Sequence, residues 1–426
     1  MDNEKKIYFY TSNFFKKKLF DKNQIGELYK KIHLLFINKF TILESKNLVP
    51  NELNIVVEHF NSIAQIMKIV EVKKKYPNTK IILVLSEFIN NDITLNSFHI
   101  NKDNIDFYNS FFTLYSNMKY VKYLINKFLS FFPIFFNKIL HAVLDFDIGE
   151  LIIPMRFVKF NKYKKSISLI NIMSFIISSI NILNFSKLIG NMWKVKSKLN
   201  YAYLNSIKTD VLFFYRYKML KKLKGKVDLI LKTHPKISSN LFQDVNQFNI
   251  FFDFQNLFQL NDLKSYKNIL SFSGELNDYR KLKIKEEFDK KLNLEDKYLY
   301  EKINSDIKKI LNTPNQFIDE SLTDKKVLFN LHPKKTAEWP YSSPTRYYRS
   351  VENNTIPLTF ASEHISDNFT NKSTIEISHL VDFLNDFFKQ KEIYIKKFSN
   401  NCVEFNKNSN IENKKILTSV EELYNK

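Results

Sequence analysis

Between Trp339 and Phe360 the chain concentrates polar chemistry as it does in few other places: Ser342, Ser343, Pro344, Thr345, Arg346, Arg349, Glu352 and Thr355 fall within one helix-sized window. Ser342 and Ser343 offer hydroxyls that can cap free amides, and Pro344 suits the first position of a helix. Arg346 and Arg349 lie three apart on one helical face, with Glu352 following on that face. Asn353-Asn354-Thr355 would end the helix before Ile356-Pro357-Leu358-Thr359-Phe360 begins a strand. A phosphate and a ribose could both be held at such a helix start with its two guanidinium groups and carboxylate.

Other candidates stand where a strand gives way to a loop. Gly274 ends the strand-like Ile269-Leu270-Ser271-Phe272-Ser273 and is followed by Glu275, Asp278 and Arg280. It is either a plain turn glycine or a point where backbone approaches a ligand's phosphates. His234-Pro235 and His332-Pro333 each follow a strand and precede lysine; an imidazole there can donate to a phosphate or a leaving oxygen, or be structural. Glu58, His59 and Glu87 close strands of the first hundred residues. A carboxylate facing a dry cleft can serve as a general base, and a solvated loop charge is the plain alternative. Asp145-Phe146-Asp147 could chelate a divalent ion, but a chain with this many aspartates carries such a triplet by chance, and no metal site is assigned.

The elements that must position these residues alternate. Ile7–Tyr10, Leu53–Glu58 and Lys80–Ser86 read as strands, with a helical run Ser62–Tyr76 broken by Pro77-Asn78. Nearly continuous apolar strands separated by helices indicate a parallel sheet. A lysine-rich, aromatic, mainly helical stretch fills about 107–224, and Val227–Lys232 returns to strand, as does Ile250-Phe251-Phe252. A boundary at Asn261–Lys267 precedes a second series: a strand from Ile269, helices at Tyr279–Lys291 and Asp296–Leu311, and a strand at Val327–Leu331. A C-terminal helix, Thr418–Tyr424, would cap or bridge the halves. The expected fold class is α/β, two Rossmann-like domains facing a cleft. Residues 1–260 form an N-terminal domain with the helical insertion, 261–400 a C-terminal domain, and 401–426 a tail.

Composition narrows the chemistry. The 426 residues carry a net charge of +21, which ordinarily points to an anionic partner. Here lysine rises together with Asn, Ile and Phe, the imprint of an AT-rich coding bias, so the excess marks no particular patch. Five glycines leave no phosphate-cradling Gly-rich loop of the Walker or dinucleotide type. The lone Cys402 excludes internal disulfides and cysteine zinc clusters, fits a reducing cytoplasm and reads as inert. The N-terminus lacks the apolar core of a signal peptide. Residues 166–186 are uncharged and long enough to span a bilayer, yet rich in Ser and Asn, which favours a buried or interfacial helix. Phe128–Phe136, among lysines, is a second candidate for bilayer contact.

Ser342-Ser343-Pro344-Thr345-Arg346 through Ile356-Pro357-Leu358 resembles the donor-site helix of exostosin-like and related bacterial surface-polysaccharide glycosyltransferases of the two-domain GT-B fold. Ser273-Gly274 with Tyr279-Arg280 is similar to the first loop of their donor domain. The likeness covers roughly residues 268–400. Arg349 stands where the family has a carboxylate, and Asn354 where it has a glycine. The resemblance implies transfer of a sugar from a UDP-, GDP- or CMP-type donor to a hydroxyl of a glycan or lipid-linked acceptor, with no obligatory cofactor or metal. It implies donor binding by Gly274, Arg280, His332, Ser342, Ser343, Arg346, Arg349, Glu352 and Thr355. His234 would be a phosphate or substrate contact, and Glu58, Glu87 and His59 the catalytic candidates. The expected location is cytoplasmic, extending to the anionic inner-membrane surface. The His-Pro pairs also resemble the phosphate-binding histidine of sialyl- and Kdo-type transferases that use a CMP donor. From another class, a non-enzymatic basic protein binding nucleic acid or membrane would explain the charge and aromatic content, but not the window from Ser342 to Phe360.

Overall fold

Apolar strands and amphipathic helices assemble into two parallel sheets. The computed structural model describes residues 5–12, 24–60, 62–86, 214–233, 240–250, 265–272, 297–312, 327–332, 353–360 and 375–426, with Ser350 and scattered positions within 89–127 and 281–286. The first sheet contains β1 (Lys6–Tyr10), β2 (Thr41–Ser45), β3 (Leu53–Val57), β4 (Lys80–Leu85), β5 (Leu229–Lys232) and β6 (Gln247–Asn249), in the order β2-β1-β3-β4-β5-β6. All of its pairings are parallel. The second contains β7 (Asn268–Ser271), β8 (Val327–His332), β9 (Ile356–Phe360) and β10 (Ile375–Ile377), also parallel, in sequence order.

In the first sheet the chain leaves β1 through helix α1 (Gln24–Phe36) for β2 on one side, then returns past β1 to β3. From β3 it moves the other way through α2 (Ile63–Lys75) to β4. Crossovers of one hand running in opposite directions put their helices on opposite faces. Side-chain alternation agrees. Ile7, Phe9, Ile55 and Val57 share a cluster with Leu28, Ile32 and Phe36 of α1. Tyr10 and Val56 point the other way and pack with Ile63, Ile66 and Ile69 of α2. Both helices bury residues spaced three and four apart.

Local chemistry sets the strand entrances. Asn54, fully buried, accepts from Val49 N–H at 2.8 Å and donates to the carbonyls of Val49 (2.9 Å) and Glu52 (2.8 Å), locking the turn into β3. Asp228 does the same between β4 and β5, accepting from Ile81 N–H at 2.7 Å and pairing with Lys73 at 2.9 Å. Residues 86–228 connect the adjacent parallel strands β4 and β5, and the insertion expected at about 107–224 lies largely outside the described residues. On the α2 face, Phe112 and Phe214 lie edge to face at 4.8 Å.

The second sheet packs one face, including Phe329, Leu331 and Leu358, against α4 (Leu380–Lys389). Phe329 meets Phe383 and Phe387 at 5.7 and 4.8 Å. Helix α3 (Lys297–Asn312) guards the edge strand β7: the buried Asp306 accepts from the consecutive N–H groups of Ile269 (2.7 Å) and Leu270 (3.1 Å). The final helix, α5 (Lys391–Asn425), touches both sheet layers. Tyr394 meets Phe383 edge to face at 5.5 Å and Phe387 at a tilt at 5.8 Å, while Tyr424 packs on Phe40 at 5.9 Å and Glu421 pairs with Lys39 at 2.8 Å. One continuous apolar cluster runs from Ile7 and Phe9 to Ile416 and Val420. Among the described residues no helix is long and apolar enough to cross a membrane, and 128–136 and 166–186 lie outside them.

Candidate functional site at the β1/β3 switch point

In open parallel sheets, ligands sit beyond the carboxyl ends of the strands, where neighbouring connections diverge to opposite faces. In the first sheet that point falls between β1 and β3, and Glu58 is the residue that follows β3. It lies on the α2 face, in alternation with Asn54 and Val56, and is fully buried. Three donors converge on its carboxyl group. Ser12, just past β1, donates from its backbone N–H to Oε1 and from Oγ to Oε2 at 2.9 Å. Gln65 Nε2 donates to Oε2 at 2.7 Å. Gln65 is itself held by the capping box of α2, its Oε1 accepting from Ser62 N–H at 3.3 Å. One short motif therefore starts the helix and orients the carboxyl group.

Burial raises the Glu58 pKa above the ordinary carboxylate value; the Ser12 hydrogen bonds and the charges of His59 and Lys68 oppose the rise without cancelling it. Such a carboxyl group is a better proton acceptor than one in water. Beside it lies Tyr10, buried, with Lys68 Nζ 5.4 Å from its ring centre. Burial and then the Glu58 charge raise the phenol's pKa, so it stays a neutral donor; its hydroxyl has no hydrogen-bond partner among the described residues. The turn leaving β3 is fixed. Arg216 Nε donates to the His59 carbonyl at 2.8 Å, and the buried Phe60 adopts φ +50°, a left-handed conformation costly for a bulky residue.

The second sheet brings polar groups to its own carboxyl edge. Ser271 ends β7 beside Asn330, and His332 ends β8 in register with Thr359. The Ser271 and Thr359 hydroxyls are buried without a hydrogen-bond partner among the described residues, whereas Asn330 Nδ2 donates to Ser350 Oγ at 2.8 Å. Thr355 lies at the other end of the sheet. It precedes β9, and its buried hydroxyl donates to the Val327 carbonyl at 3.0 Å, so its bond is internal. Four residues of strand, about 13 Å, separate it from Thr359 in the row of His332. Asn354, aligned with a glycine in the family resemblance, takes φ +53°, a left-handed conformation that Asn tolerates better than most residues.

Of the predicted site residues, Glu58 and His59 thus sit together at the switch point, and His332 and Thr355 occupy opposite ends of the second sheet. Glu87, His234, Gly274, Arg280, Ser342, Ser343, Arg346, Arg349 and Glu352 lie outside the described residues. Sequence reasoning missed Ser12, Tyr10 and Gln65. The spacing Ser62-x-x-Gln65 before an apolar run carried the signal for Gln65; nothing local marked Ser12, which acquires its role across 46 residues. Cys402 is buried, which pushes its thiol up to about 12 and makes it unreactive. Among the described residues no group of three His, Cys, Asp or Glu is placed to hold a metal ion.

Comparison with protein-family models, with curated proteins and with solved structures finds no match for this chain.

Proposed function

We propose that the chain is a glycosyltransferase of two Rossmann-like domains, moving a sugar from a nucleotide-sugar donor to a hydroxyl of a bacterial surface glycan. The observation that carries this reading is Glu58, a buried carboxyl group with raised proton affinity at the switch point of the first parallel sheet. The second parallel sheet and the long helix α5 in contact with both sheet layers support it.

In this mechanism an acceptor hydroxyl displaces the Ser12 Oγ contact and gives its proton to Glu58. The acceptor oxygen forms a bond to the anomeric carbon as the bond to the nucleotide phosphate breaks. Tyr10, a neutral donor, hydrogen-bonds the acceptor. On the donor side, Arg346, Arg349 and His332 offset the charge gathering on the departing phosphate. Exclusion of water from the cleft favours transfer over hydrolysis.

A thermal-shift panel of UDP, GDP and CMP tests the reading. One nucleotide should raise the unfolding midpoint, and Arg346→Ala should abolish that rise. Indifference to every nucleotide, together with strongly salt-dependent DNA binding, would sink the proposal.

A further inference from the structure

Lys232 is the last residue of β5 and only 7% exposed. Leu229 and Leu231 face the α1 side and Ile230 the α2 side, so alternation sends Lys232 to the α2 side, the side of Glu58. Register places it in the same row. Tyr10 pairs with Val56 and Val57 with Val84, so one residue further Glu58 stands level with Leu85, which pairs with Lys232. Two strand spacings, about 10 Å, separate the backbones of Glu58 and Lys232.

A buried ammonium group ordinarily has a carboxylate or several acceptors around it. Lys232 has neither a hydrogen bond nor an ion pair from its side chain among the described residues. Burial alone lowers its pKa, with no acidic neighbour opposing the shift, and the cations acting on Glu58 are His59 and Lys68. Asp228, the acidic residue nearest in sequence, is engaged by Lys73 and by Ile81 N–H at the amino end of the strand.

We propose that Lys232 is an anion-binding residue, holding a carboxylate or phosphate group of a ligand bound beyond the carboxyl ends of β3, β4 and β5. Calling that ligand the acceptor rests on the transferase reading; the acceptor is then an acidic or phosphorylated sugar whose reacting hydroxyl lies at Glu58. The span across two strands suits a monosaccharide with its charge at one end and its hydroxyl at the other.

The test is a thermal-shift titration of the full chain at fixed ionic strength with glucuronate, glucose 6-phosphate and neutral glucose. The wild type should respond to at least one of the two anions and not to glucose, and which anion acts separates carboxylate from phosphate. Lys232→Met should weaken the anion response at least about tenfold, the loss of one charge-assisted contact, while Lys232→Arg retains most of it. Without a ligand, Lys232→Met should melt higher than the wild type, because the burial that disfavours the charged lysine no longer opposes folding. No anion response in the wild type, or an unchanged response in Lys232→Met, overturns the proposal. A nucleotide shift that persists in Lys232→Met shows that the donor reading stands whether or not the anion site does; loss of all nucleotide response in the wild type, with the anion response intact, sinks the donor reading alone.

Discussion

Ser12 donates twice to Glu58, from its backbone N–H and from its hydroxyl at 2.9 Å, tying the carboxyl end of β1 to that of β3. Glu58→Gln keeps the shape and removes the proton acceptor. Under the transferase reading, turnover should fall about 10²- to 10⁴-fold, the usual worth of general-base catalysis, with nucleotide binding unchanged. Initial rates and thermal shifts on one preparation check this, and a variant with full turnover removes Glu58 from the chemistry.

The same carboxyl group shapes the dependence of stability on pH. Its folded pKa lies above the ordinary 4.5 because it is buried. Between those two values the unfolded chain has released a proton that the folded protein still holds, so stability falls as pH rises. The contribution is fully present below 4.5 and lost once pH passes the folded value. Glu58→Gln should therefore gain on the wild type as pH climbs from 4 to 8, measured by urea unfolding at each pH. Parallel curves would mean that burial does not govern this group.

Asp306 satisfies two consecutive donors of the edge strand β7. Asp306→Ala leaves both N–H groups buried without an acceptor and should cost about 2–4 kcal/mol, at 1–3 kcal/mol for each lost partner less some relaxation. Asp306→Asn keeps an acceptor and should cost less. Urea denaturation compares the three proteins.

At the far end of α5, Tyr424 packs on Phe40 while Glu421 pairs with Lys39 in the open. The ring contact should outweigh the ion pair. Tyr424→Ala should lower stability by about 1–3 kcal/mol through lost apolar burial, whereas Glu421→Gln should change little, and its effect should disappear in high salt. Equal losses in both variants would reverse that ranking.

Much of this architecture is legible in the residues because fully buried strands are apolar without interruption. Leu53–Val57, Lys80–Leu85 and Val327–His332 appear nearly where their sequences place them, and Ser62 caps α2 as its type suggests. The edges are not legible. β2, Thr41-Ile42-Leu43-Glu44-Ser45, is half exposed and mixes polar with apolar residues, and β6 is three half-buried residues just before the apolar Ile250-Phe251-Phe252 expected as strand. The C-terminal helix was expected only at Thr418–Tyr424 because Asn- and Lys-rich turns dilute its apolar stripe, yet α5 begins at Lys391. At the site, single residues at strand ends such as Glu58 stand out locally. Its partner Ser12, and Lys232 in the same row two strands away, depend on strand order, and strand order is set by tertiary packing that no local window contains.

The apolar cluster shared by Ile7, Phe9, Ile416 and Val420 has a consequence for biosynthesis. A ribosome delivers β1 long before the last turns of α5, so the first sheet must wait with one flank uncovered while the chain between them is made. Closing contacts between residues as distant as Phe40 and Tyr424 is a slow, late event. A nascent chain stalled short of Ile416 should therefore present that bare flank to chaperones, and emergence of the Ile416–Val420 turn should be the moment at which the first sheet becomes resistant to protease.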